Sequence, residues 1–207
     1  CELAQRPRTT MEPGRAEAEQ ERALRKEAHY GPALYERIVL RGGRLIALGE
    51  ELEMDWRRKG PRSGARVPSR LDLALGDPRG RELRRAIEAD LAALKEGDLL
   101  PGELECVRGW RAWSRGDARG ALGSMHAAVE RDAMLEEAIE ALATFRIELD
   151  GEAAVETVVA LLTEAAKRDA GYLGYAKRRG EIRLSKGLVL RARGEDPFEW
   201  YRSALND

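Results

Sequence analysis

The apolar positions of this chain fall at helical intervals. In ALYERIVLRGGRLIALGEELEMDW, Leu34, Ile38, Leu45, Leu48 and Leu52 recur at spacings of three, four or seven residues. That spacing collects them on one face of a helix. Gly42 and Gly43 sit inside the pattern, and two readings stay open: a close approach by a neighbouring helix, or a division of the segment in two. Further on, Asp77-Pro78 supplies an N-cap followed by Pro at the first helical position, and Leu83, Ile87, Leu91 and Leu94 give the apolar face behind it. Pro101 opens the next helix. Gly116-Asp117 ends that one and caps its successor, Asp132 and Asp150 are candidate caps, and Asp196-Pro197-Phe198-Glu199 marks a last start. Cys106, Trp110 and Trp113 lie at i, i+4 and i+7, a stripe expected in the core. No stretch alternates as a strand does, so the expected class is all-α.

The organisation expected from this pattern begins with a flexible tether over residues 1–14, where Pro7 and Pro13 oppose helix. A helical domain follows over 15–207. It divides into N-terminal helices (15–57), a basic Pro/Gly loop (57–76) and a helical repeat region (77–207). Residues 15–28 are strong helix formers with few large apolar side chains, which suits a solvated helix or a frayed extension. The loop's basic part, RRKGPRSGARVPSR, holds two prolines, two glycines, six basic residues and no acid. It reads as a solvated connector, with contact to anionic lipid head groups as the rival reading. It has no phosphate-binding glycine pattern and no interleaved aromatics, so nucleotide and single-strand nucleic-acid binding are not expected.

Two segments echo each other: ALGSMHAAVERDA and VVALLTEAAKRDA repeat the tripeptide RDA at a spacing of 37 residues, and EWYRSALND is a weaker third echo. Repeats of this length stack so that each covers the apolar face of its neighbour. Gly109, Trp113, Gly116-Asp117, Ala121, Met125 and Ala128 occupy an order of small and bulky positions that resembles the tetratricopeptide repeat. The resemblance covers residues 100–207. Ala133 stands where the family's closing proline is usual, and the period exceeds the family's 34. It implies a short α-solenoid of antiparallel helix pairs preceded by the N-terminal helices, and a concave face that binds proteins. First helices of the pairs are expected near 101–115, 134–148 and 171–190. On the middle one, Glu137, Glu140, Thr144 and Glu148 are spaced to share an exposed face that would suit a basic partner segment.

Chemistry is sparse. The two cysteines and two histidines have no ligand spacing, so no metal site is expected. No nucleophile motif occurs, His126 reads as a packed or surface residue, and Tyr172, Tyr175, Trp200 and Tyr201 read as fillers between the last helices. With 35% charged residues and a net charge of −1, the chain has no global pull toward nucleic acid. The start CELAQRPRTT, a cysteine followed by a polar proline-bearing stretch, resembles a processed bacterial lipoprotein. That resemblance implies a lipid on Cys1, several acyl chains giving a stable anchor, and a periplasmic-side envelope location. The absence of aspartate at Glu2 leans toward the outer membrane.

The expected function is therefore a non-enzymatic, lipid-anchored scaffold that holds other envelope proteins, with no cofactor beyond the lipid and no small-molecule substrate. Two other readings stand beside it: a cytosolic tetratricopeptide-like adaptor whose Cys1 is artefactual, and a cell-wall hydrolase using Glu residues.

Overall fold

A computed structural model describes residue 22, residues 30–59 and residues 68–207. The expected tether, the helix former at 15–28 apart from residue 22, and the middle of the basic loop lie outside them. Among the described residues the chain is all-α. The helices are α1 (Gly31–Arg58), α2 (Arg70–Gly76), α3 (Pro78–Ala93), α4 (Pro101–Ser114), α5 (Ala118–Arg131), α6 (Glu136–Asp150), α7 (Val155–Arg168), α8 (Gly174–Ala192) and α9 (Phe198–Leu205). Short 3₁₀ turns at Glu96–Asp98 and Gly151–Ala154 join α3 to α4 and α6 to α7.

The boundaries follow from local chemistry. Asp77 accepts a hydrogen bond from the Arg79 amide at 2.9 Å and Asp117 one from the Gly120 amide at 2.9 Å, both as expected of caps. Ser69 caps α2 by accepting from the Asp72 amide at 3.1 Å. The expected loop over 57–76 is thus shorter than its composition suggested: α1 continues to Arg58 and α2 begins at Arg70. Asp150 makes no capping bond. Asp132 stands at the end of α5, where its side chain accepts from the Met134 amide at 2.9 Å and so turns the chain.

That turn repeats. Asp169, 37 residues on, ends α7 with its amide on Ala165 and its carboxylate accepting from the Gly171 amide at 3.1 Å; Asp132 does the same with Ala128. The buried positions of the preceding helices match at the same interval: Ala121 with Val158, Met125 with Leu162, Ala128 with Ala165. Gly116 and Gly194, at φ 84° and 76°, close α4 and α8 with the same pair of backbone bonds.

Helices adjacent in sequence pack on one another from α4 to α9, while α1 reaches across α2, α3 and α4. The core has two centres. One gathers Tyr35, Ile38, Leu45, Ile87, Cys106, Trp110, Met125 and Phe145; the other gathers Ile139, Val158, Leu162, Tyr175 and Ile182. Cys106, Trp110 and Trp113 are buried, and the Trp113 ring stacks on Phe145 at 4.0 Å. Gly42 is the close approach left open above: it meets the Trp110 ring, and the helix runs through unbroken. Arg37 and Arg41, one turn apart on α1, both bind the buried carboxylate of Asp90 on α3.

Candidate binding cleft

α6 ends between the second half of α1 and the middle of α8, and a cleft of about 520 Å³ opens over its last turn. Its floor is Ile147, Glu148, Val155 and Ile182; Glu50, Glu53 and Arg70 form one wall, and Arg178, Ser185, Lys186 and Val189 the other. Arg70 enters this wall because Ser69 starts α2 there and because Gly49 lets the backbone of Arg70 lie directly on α1.

Arg70 organises the acidic wall. Its Nε donates to Glu53 Oε2 at 2.5 Å, its Nη1 donates to Glu148 Oε1 at 2.9 Å, and Glu50 lies 3.4 Å away. Arg57 donates to the other oxygen of Glu53 at 2.6 Å. The Glu53 carboxyl feels burial, which opposes its charge, but hydrogen bonds from Arg70 and Arg57 win and hold it below the usual carboxylate range. Glu148 goes the other way. Burial pushes its carboxyl up, the neighbouring Glu53 and Glu50 add to the effect, and Arg70 only partly offsets them. On the opposite wall Lys186 and Arg193 both hold Glu152, and Arg178 donates to Glu181 at 3.2 Å.

Of the four residues expected to form an exposed strip on α6, only Glu148 lines the cleft. None is exposed. Glu140 accepts from the Tyr172 hydroxyl at 2.7 Å, Thr144 donates to the Glu140 carbonyl at 3.0 Å and faces Arg178 at 3.4 Å, and Glu137 lies in the electrostatic reach of Tyr35 and Cys106. The strip is one face of the helix, as its spacing required, but that face carries neighbouring segments. His126 is a surface residue, 3.4 Å from Glu130. Cys1, the expected lipid attachment, lies outside the described residues.

The sequence reading missed Arg70, Glu50, Glu53 and Lys186. A signal was present for Arg70: Ser69 followed three residues later by Asp72, before Leu71, Leu73 and Leu75, is a helix-start pattern. Among the described residues, no group of His, Cys, Asp and Glu is placed to hold a metal ion, and no helix is long and apolar enough to cross a membrane.

No family model and no curated protein matches this chain. The site therefore has to be read from its own chemistry.

Proposed function

We propose that the chain is a short tetratricopeptide-like α-solenoid of antiparallel helix pairs, working as a scaffold that holds a segment of another protein in the cleft between α1 and α8. The observation that carries the reading is the 37-residue register: the same aspartate turn and the same buried positions recur in successive segments. Stacked repeats generate extended grooves from the helices that line their inner side, and here α6 and α8 border such a groove while α1 narrows it. The cleft pairs an apolar floor with walls of both charges, which suits an amphipathic peptide better than a small uncharged molecule. Its acids are engaged by arginine and lysine, which supports recognition over hydrolysis.

A photoreactive residue placed at Ser185 in the cleft tests this against one at Gly123, on the outer side of α5. Crosslinking in the source cells should trap a defined protein from position 185 only, and Val189→Asp should abolish it. The same adduct from both positions, or none from 185, refutes the reading. The envelope location belongs to the same proposal through Cys1, and intact mass of the native protein should show the acyl mass on its N-terminal peptide.

One observation favours the hydrolase as a second reading. Glu53 and Glu148 share a cleft and have carboxyls displaced in opposite directions, the arrangement acid–base pairs use. Release of soluble fragments from purified cell wall, lost in Glu148→Gln, would establish it.

A further inference from the structure

Helix α8 has three faces with different fates. Tyr175, Ile182 and Leu190 turn inward and are buried. Gly180, Arg183 and Gly187 face α9, meeting Ala204, Asp207 and the Tyr201 ring. Between α9 and the cleft runs a third stripe, Lys177, Glu181, Leu184, Leu188 and Arg191, at intervals of four, three, four and three. All five are exposed, with Leu184 at 49% and Leu188 at 53%. The stripe borders a groove of about 560 Å³ whose far side is Tyr201, Ala204 and Leu205.

The repeat shows what such a stripe does elsewhere in the chain. Thirty-seven residues before Leu184 stands Ile147, which packs on the cluster containing Tyr175 and Ile182. The equivalents of Lys177 and Glu181 are Glu140 and Thr144, which meet Tyr172 and Arg178. One repeat earlier the same stripe holds Val107 and Trp110, both buried, with Trp110 edge-on to Phe145 of α6 at 5.3 Å. In both earlier segments the position equivalent to Leu184 packs on the segment that follows. On α8 nothing among the described residues lies over the stripe.

We propose that this stripe is a self-association surface, on which α8 of a second copy of this chain packs antiparallel about a twofold axis near residue 186. The charge order selects both occupant and direction. In the antiparallel register Leu184 of one copy meets Leu188 of the other and Glu181 meets Arg191. Lys177 falls opposite Glu195, just past the end of the opposing α8. A parallel pairing instead sets Glu181 against Glu181 and Arg191 against Arg191. Among the described residues Lys177 and Arg191 make no ion pair, and Glu181 has an exposed one with Arg178. The stripe is thus self-complementary in the antiparallel sense, with an apolar centre flanked by an acid on one side and a base on the other.

Sedimentation equilibrium of the full chain over a concentration series tests this. A reversible dimer is expected. Leu184→Asp with Leu188→Asp should weaken it by at least about 100-fold while leaving the helical circular dichroism unchanged, since both side chains are exposed. Glu181→Arg and Arg191→Glu should each weaken it by about tenfold, and the two together should restore it to within about threefold of the parent. A monomer at every concentration overturns the proposal, as does a dimer indifferent to the leucine changes. A double charge swap no better than the single ones overturns the antiparallel register. Anionic vesicles (phosphatidylglycerol with phosphatidylethanolamine) supply the last arm. A monomer that binds them through Leu184 and Leu188 would assign the stripe to a lipid surface and overturn the second copy.

Discussion

Gly42 and Gly43 are neighbours in one helix, and their replacement by alanine should act in opposite directions. In a helix interior the exchange favours folding by about 0.5–1 kcal/mol, because alanine has less backbone freedom to lose. At Gly43 a new Cβ meets nothing within 4 Å, so Gly43→Ala should show that gain undiluted. At Gly42 the Cβ would overlap Cε3, Cζ3 and Cδ2 of the Trp110 ring. Trp110 is 3% exposed and lies edge-on to Phe145, whose other neighbour is the stacked Trp113. The ring has no room to swing aside, and overpacking of this kind costs about 1–3 kcal/mol. Taking about 2 kcal/mol against a propensity gain of about 0.8 leaves Gly42→Ala less stable by about 1 kcal/mol. Urea denaturation followed by far-UV circular dichroism separates the two variants, with midpoints moving to opposite sides of the parent. Trimming the obstacle with Trp110→Leu should reduce the Gly42→Ala penalty in a double-mutant cycle. Equal stabilisation by both alanines would refute the close-packed contact between α1 and α4.

Asp90→Ala should cost about 3–5 kcal/mol by chemical denaturation, because it removes the carboxylate held by two guanidinium groups only 17% and 14% exposed, leaving Arg41 its bond to the Ala86 carbonyl but not the opposite charge. Replacing Asp90, Arg37 and Arg41 together by leucine or methionine should recover most of that loss. Arg70→Ala should cost about 2–3 kcal/mol, less than a fully buried partner would, since Arg70 keeps about a third of its side chain in solvent. The two carboxyls it holds should give opposite pH signatures in thermal unfolding. Glu148, raised by burial, binds its proton more tightly folded than unfolded, so its share of stability falls as pH rises from the ordinary carboxylate value. Glu148→Gln should therefore be at least as stable as the parent at neutral pH and should flatten that decline. Burial opposes the charge of Glu53 too, but hydrogen bonds from Arg70 and Arg57 outweigh it and leave the carboxyl lowered. It stabilises above its ordinary value and loses this on acidification, so Glu53→Gln should be weaker at neutral pH and converge with the parent in acid.

How far the sequence could be read depended on the range of the interactions involved. Asp77 and Asp117 act within three residues, and their caps were plain in the order of residues. So was the stripe of Cys106, Trp110 and Trp113, since periodicity alone puts large apolar residues on a buried face. The cleft was not legible. Arg70 meets Glu148 across 78 positions, and nothing in a run of basic residues marks which one will be drawn inward. For the same reason Glu140 and Thr144 looked like a solvated face. Helical spacing showed that they share a side of α6, but only the docking of α8 and the turn before it decides that the side is covered. The paired glycines posed a question that propensity could not answer, because the answer is an indole 68 residues away.

The reach of α1 has a consequence for synthesis. Tyr35, Ile38, Leu45 and Leu48 share a core with α2, α3 and α4, elements made after α1 is complete. α1 ends at Arg58 and α4 at Ser114, 56 residues later. At roughly 5–20 residues per second, the apolar face of α1 waits roughly 3 to 11 seconds on the ribosome before the last of its cover is made. The later helices meet neighbours made just before them and have no such delay. The nascent chain is thus most open to chaperone binding near its beginning, and a translational pause between residues 58 and 114 should lower the yield of folded protein more than one placed after α6.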